Sequence, residues 1–397
     1  MREVVIVDGV RTAIGRMGGS LAGFRAEDLA AMVIEGLVKK TKIDPQEIED
    51  VIIGIALSWH TAVNLSRWAV LKAGLPFSVP GLTVERQCGS GLQALVLAGQ
   101  RIQAGEGEVF IAGGTESHST FPYKLARPIQ AFQYNPPGFI NWETAPRPEW
   151  NLVMGITAEN LAEQWKVSRE AQDKFSYHSQ MGAIKAIQSG RFQKEIIPIL
   201  VPQRKGDPLS FAEDEHPRAD TTFDKLAKLA PVFKKDGTVT AGNSSGLNDG
   251  AAALLVMSAE KALSLGYKPL ARLLSSAVTG VDPRMMGIAP ALAIPKALKR
   301  AGLKFDQMDV VECNEAFAAQ TLAVVKELEN QGLQVDMERL NPNGGAIALG
   351  HPNGMSGARL ALTLIHELHQ RNGRYGVASL CIGGGQGIAA VFEKPPS

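Results

Sequence analysis

Short runs of β-branched residues alternate with helically spaced apolar residues, and a chain written this way folds as helices layered on a sheet, each element hiding one face against the next. The strand-like runs are 4–7, 51–57, 82–84 and 109–112, with helical patterns near 27–40, 65–73 and after Gly89. Asp44-Pro45-Gln46-Glu47 reads as an N-cap, a proline at the first helical position and an acidic first turn, closing one unit before the run at 51. The expected class is α/β.

After Lys268 the order returns: an apolar run at 271–281, a helix at 288–301, a strand at 310–313, a helix at 317–328, a glycine-rich turn, a helix at 358–369 and a strand at 377–382. Both halves carry a glycine-rich turn before a helix (88–91 and 350–357) and a strand ending in glycines (112–114 and 381–385). A diverged internal duplication is expected. Between the halves, 121–150 is rich in proline, aromatic and polar residues, as in Pro136-Pro137-Gly138, and reads as an inserted loop region. Helical patterns follow at 157–165 and 169–189, then a charged irregular stretch at 203–224, so the middle third reads as a separate element. The expected domains are an N-terminal half at 1–120, a loop region at 121–250 that returns to that half near 240–260, and a C-terminal half at 268–397.

With 397 residues, 45% of them apolar and 20% charged, a large core is available. Forty-one Lys and Arg balance forty Asp and Glu, so no net field favours nucleic acid or an anionic membrane surface. No window approaches eighteen consecutive apolar residues. The three cysteines lie far apart with no CxxC pair, which points to neither a disulfide framework nor a zinc site. The expectation is a soluble cytoplasmic protein with no metal and no nucleic-acid or membrane partner.

Gln87-Cys88-Gly89-Ser90-Gly91 lies between a predicted strand and a predicted helix. A thiol at a helix entrance is drawn toward thiolate by unpaired N–H groups, and the glycines would let a substrate approach the backbone. A buried apolar cysteine is the equally weighted alternative. Gly350-His351-Pro352-Asn353-Gly354 sets a histidine in a turn too rich in glycine and proline for a regular helix interior, able to present its ring to a cavity or to backbone groups. Cys381 ends an apolar run and precedes Ile382-Gly383-Gly384-Gly385. Two cysteines and a histidine in three such turns make covalent acyl chemistry the leading reading. Asn314-Glu315 follows a strand directly, a ligand position in open sheets or an ordinary N-cap. Gly242-Asn243-Ser244-Ser245-Gly246 matches GxSxG after a possible strand at 238–241, yet Leu247-Asn248-Asp249-Gly250 would break the required helix, so it reads as a chance match. His366 and His369 read as surface residues.

Together, Cys88-Gly89-Ser90-Gly91-Leu92-Gln93, Gly113-Gly114-Thr115-Glu116-Ser117, the stretch 242–251, Asn314-Glu315-Ala316-Phe317, 344–357 and 381–387 resemble the thiolase family over nearly the whole chain. The resemblance implies a five-layered αβαβα fold from two similar halves plus an inserted loop domain. It also implies reversible Claisen condensation of two acetyl-CoA, or thiolysis of 3-ketoacyl-CoA. Cys88 would carry the acyl group, His351 would activate it, and Cys381 would move the α-carbon proton. One oxyanion hole would come from His351 and a water held by Asn314, the other from the N–H groups of Cys88 and Gly383, such donors contributing about 3–4 kcal/mol each.

The same resemblance places coenzyme A against the middle region, with Arg218 near the nucleotide, Ser245 on the pantetheine arm, and Leu229, Phe233, Met154, Met286 and Phe317 as apolar walls. Coenzyme A enters as substrate, with no resident cofactor. A homo-oligomer, a dimer of dimers, is implied, with the 121–150 loops at the tetramer contact. The chain departs from the family pattern at Ala13, Thr115, His118, Val153, Asn353 and Met355. Val153, where a histidine is common in short-chain members, favours longer acyl groups, whereas Met154 beside it favours a short pocket. A ketoacyl synthase would use a second histidine at Cys381, and a non-enzymatic acyl-CoA carrier would not need Cys88, His351 and Cys381 together.

Overall fold

The computed structural model describes residues 2–58, 62–127 and 137–396. Its N-terminal half runs β1 (Val4–Thr12), α1 (Ala26–Thr41), β2 (Asp50–Gly54), α2 (Leu65–Lys72), β3 (Gly81–Val84), α3 (Ser90–Ala104) and β4 (Val109–Ser117). Helices α4 (Met154–Gln164) and α5 (Arg169–Gln188) follow, and the chain re-enters the sheet as β5 (Asn248–Ser258). The C-terminal half comprises β6 (Ala271–Gly280), α6 (Pro290–Ala301), β7 (Val310–Cys313), α7 (Ala318–Asn330), α8 (Asn353–Arg371), β8 (Tyr375–Ile382) and β9 (Gln386–Glu393).

Strand order is β3-β2-β4-β5-β1 in the first half and β7-β8-β9-β6 in the second. The two join where β1 and β6 pair antiparallel at Val5–Arg272 and Ile6–Ala271. One pattern is used twice. β2 runs parallel to β4 as β7 does to β8, and β5 lies antiparallel between β4 and β1 as β9 does between β8 and β6. The counterpart of β3 is reduced to a parallel bridge between Val311 and Leu340.

Alternation along the strands divides the core. Val4 and Ile6 of β1, Leu254 and Val256 of β5, Leu380 of β8 and Phe392 of β9 face a central cluster with α3 and α8. Val5, Val7, Ala253 and Leu255 face α1, whereas Val377, Ala389 and Val391 face α6 and α7. Helix, sheet, helix, sheet, helix: the protein has the five layers that the resemblance implies. Its central helices approach closely because a Cβ on Gly91 would lie 2.7 Å from the Gly354 carbonyl, and one on Gly357 would lie 2.4 Å from the Leu92 amide.

Several sequence expectations are corrected here. The turn expected up to 357 is helix from Asn353, so Gly354 and Gly357 serve close packing and not a loop. Gly113 and Gly114 lie inside β4, where a Cβ on Gly114 would meet the Gly354 carbonyl at 2.0 Å. The stretch at 238–241 is no strand and makes only a bridge, Thr240 to Pro231. The helix expected from 288 begins at Pro290, after a 3₁₀ segment Pro283–Ile288. The Asp44 cap serves only a single 3₁₀ turn, Pro45–Glu47, its carboxylate accepting from the Gln46 N–H. The middle third is not separate, since α4 and α5 both pack on α7. The loop region at 121–150 contains a bridge between Leu125 and Phe139, and its residues 128–136 lie outside the described residues. No helix among the described residues is long and apolar enough to cross a membrane.

Candidate active site

Duplication sets the site. Cys88 occupies a 3₁₀ turn, Gln87–Gly89, at the head of α3, and His351 and Asn353 stand at the head of the matching helix α8. Asn314 follows β7 and Cys381 lies near the end of β8, at the carboxyl ends of parallel neighbours, where open sheets hold ligands.

Gln87 has φ +43°, a left-handed conformation that costs a non-glycine residue roughly 1–3 kcal/mol. Its carbonyl accepts from Ser90 Oγ (2.7 Å) and its N–H donates to Glu85 Oε1 (2.6 Å). The Cys88 sulfur meets the N–H of Gly383, its own N–H, and Asn353 Nδ2 at 3.4 Å. The expected thiolate does not follow. Burial pushes the Cys88 thiol up to about 11, and the Glu116 carboxylate adds to the rise, outweighing the three donors. Nor do the glycines serve substrate approach: a Cβ on Gly89 would lie 2.6 Å from Ile382 Cδ1, and Gly91 serves the α8 contact.

His351 is buried, its N–H donating to Asn248 Oδ1 (2.9 Å). Its Nδ1 lies 2.6 Å from Ser356 Oγ, and that hydroxyl donates its single hydrogen to the Pro352 carbonyl (3.0 Å). Nδ1 therefore carries the ring proton, and Nε2, 3.4 Å from Asn314 Nδ2, carries the lone pair. Burial lowers the ring to about 3, with the charges of His118 and Arg359 acting in the same direction. The imidazole is neutral at pH 7. Asn314 Oδ1 is buried and makes no hydrogen bond among the described residues.

Cys381 is 1% exposed, and burial first, then Cys88 and Cys313, raise its thiol well above the ordinary value. It shares an apolar cluster with Met286 and Phe317, against which Met154 and Phe233 pack, the two phenylalanine rings meeting edge to face at 6.1 Å. Ser245 adjoins them through its N–H to the Ala316 carbonyl (3.0 Å). Leu229 and Arg218 are exposed and stand outside this cluster. Gly384 and Gly385 turn the β8–β9 hairpin at φ +79° and +84°, with Gly383 just before them. A cavity of about 330 Å³ beside this turn is lined by Gln87, Gly383, Gly384 and, from the inserted loop, Thr144.

Other motifs resolve differently. The N-cap alternative for Asn314-Glu315 fails: α7 starts at Ala318, and the buried Glu315 carboxylate accepts from Ser179 Oγ (2.6 Å) and Asn341 Nδ2 (2.8 Å). Ser244 donates to the Thr240 carbonyl (2.7 Å) and the chain runs on into β5, no helix following. Of the two histidines expected at the surface only His369 is exposed; burial pushes His366 down to about 3. Sequence reasoning missed Ser356 and Asn248, whose parts depend on direction in space, and marked Asn353 only as unusual.

Residues 4–260 match the thiolase N-terminal domain and residues 267–394 the thiolase C-terminal domain. The chain is 50% identical over 398 residues to an acetyl-CoA acetyltransferase of Pseudomonas aeruginosa, covering 99% of this chain and 100% of that one. The crystal structure of Bacillus anthracis acetyl-CoA acetyltransferase matches with a TM-score of 0.94 at 46% identity, covering 100% and 99% of the two chains. That of human mitochondrial 3-ketoacyl-CoA thiolase in complex with CoA matches at 0.92 and 43% identity, covering 100% and 98%. Fold and likeness define an acyltransferase enzyme. The chain belongs to the thiolase family, and its reaction is thiolase catalysis.

Proposed function

We propose that this thiolase acts as an acetyl-CoA C-acetyltransferase, joining two acetyl-CoA into acetoacetyl-CoA and CoA, and running the same steps backward as thiolysis. The observation that carries this reading is a buried neutral imidazole, a half-buried thiol and a buried thiol at the heads of paired helices and the end of one strand, beside an apolar cluster. His351 Nε2 takes the Cys88 proton as the sulfur attacks the thioester, and the proton leaves with CoA. The N–H groups of Cys88 and Gly383 hold one oxyanion, and a water on Asn314 holds the other, since His351 Nε2 carries a lone pair and no hydrogen to donate. In condensation one proton passes from the α-carbon of the second acetyl-CoA, by way of Cys381, to the departing Cys88 sulfur. In thiolysis the Cys381 thiol supplies that proton to the leaving carbon.

CoA would run past Ser245 and the wall of Met154, Phe233, Met286 and Phe317, with Leu229 and Arg218 nearer the nucleotide. The CoA complex of the human relative supports CoA binding. No resident cofactor or metal is required. Exposed Tyr123, Phe139, Ile140 and Trp142 on the inserted loop support assembly as a dimer of dimers, and three free cysteines support a cytoplasmic setting. A second reading, a 3-ketoacyl-CoA thiolase for longer chains, is favoured by Val153, 65% exposed at the head of α4. Thiolysis rates over ketoacyl-CoA of increasing length separate the two.

The roles are tested with radiolabelled acetyl-CoA. Cys88→Ala is expected to abolish transfer of label to protein, while Cys381→Ala takes up label and fails to condense. Label on the Cys88→Ala protein would sink the assignment.

A further inference from the structure

The Cys88 sulfur is poorly placed to ionise. The charged group that acts on it is the Glu116 carboxylate, itself held by the N–H groups of Ala56, Leu57 and Gly354, and its sign opposes a thiolate. No lysine or arginine offsets it among the described groups that shift this thiol. Stabilisation therefore falls on neutral N–H donors, which are two backbone amides and one side chain.

We propose that Asn353 is a further catalytic residue, its side-chain amide donating to the Cys88 sulfur and stabilising the thiolate as it forms and as it departs from the acyl group. The proposal rests on Cys88 being the nucleophile. The contact is Nδ2 to Sγ at 3.4 Å, an ordinary length for an N–H···S hydrogen bond. Asn353 is the first residue of α8, so the rigid central helix that also fixes Ser356 against the His351 ring carries this donor to the sulfur. One helix thus presents a hydrogen-bond donor to Cys88 and, through Ser356, orients the His351 ring that precedes it. The backbone donors cannot be removed by substitution, but the amide can. Titratable neighbours are Glu116 on β4, Cys381 on β8, His351 two residues before Asn353, and Glu85 and Arg86 on the turn of Cys88 itself. Arg86 is engaged by Gln386 through Nη1 (2.9 Å).

The test is the pH profile of Cys88 alkylation by iodoacetamide in the full-length protein, read by mass spectrometry of the Cys88 peptide so that Cys313 and Cys381 do not contribute. Thiolate is the reactive form, so the rate reports ionisation. Asn353→Leu is expected to move the profile upward by about one pH unit and to slow alkylation at pH 8 about tenfold. Asn353→Asp keeps a polar residue in the first turn of the helix, where an acidic side chain is well tolerated, and is expected to move the profile at least as far. An unchanged or lowered profile in either folded variant overturns the proposal. Failure of Cys88→Ala to lose acetyl label would instead overturn the assignment of the nucleophile, which the alkylation profile does not measure.

Discussion

Ser356 has a single hydrogen, and because the Pro352 carbonyl takes it, the buried His351 ring keeps its own proton on Nδ1 and turns its lone pair toward Asn314. The hydroxyl thereby selects the tautomer a base needs. Ser356→Ala leaves Nδ1 without its acceptor, and steady-state thiolysis is expected to show kcat reduced about tenfold with KM little changed, for a lost hydrogen bond worth about 1.5 kcal/mol. Ser356→Thr should restore the rate, and an unchanged kcat in the alanine variant would contradict the tautomer argument. At this scale Cys88, His351 and Cys381 stood out as candidates because reactive side chains in glycine-rich turns are informative by type. The ionisation of Cys88 was not readable, since the burial that lifts it to about 11 arises from elements distant in the chain.

The helices α3 and α8 meet in the central layer through residues without side chains, and that contact fixes the separation of Cys88 from the head of α8. Gly357→Ala would drive a methyl to 2.4 Å from the Leu92 amide, backbone that cannot swing aside. A loss of about 3 kcal/mol is expected in denaturant unfolding, against less than about 0.5 kcal/mol for Gly23→Ala, whose added Cβ meets nothing within 4 Å. Equal midpoints for the two variants would refute the close-contact explanation. The same glycines explain why the start of α8 was read as a loop: composition signals a turn, and only the partner helix reveals that the missing Cβ is a packing device. Leu247-Asn248-Asp249-Gly250, read as a helix breaker, does stand where no helix follows, and Asn248 begins β5, a central strand buried along its whole length.

Across the whole molecule, neither half closes its own core. Leu360, Leu364 and Leu368 of α8 pack in one cluster with Leu92, Leu95 and Ile102 of α3, and β1 pairs with β6 across the seam. Residues 267–394 expressed alone should therefore expose the inner face of α8 and lack a cooperative transition, as monitored by near-UV circular dichroism against denaturant. A sharp sigmoidal unfolding curve for that fragment would show the halves to be energetically independent.

The order of strands and helices, the repetition of that order, and the choice of three candidate side chains came from the sequence alone, because periodicity and turn chemistry are local properties of the chain. Tertiary structure decided the rest: which nitrogen of His351 carries the lone pair, why Cys88 rests as a neutral thiol, and that Asn353 reaches its sulfur. Hydrogen-bond direction and desolvation depend on what distant segments place around a group, and no spacing along the chain records them.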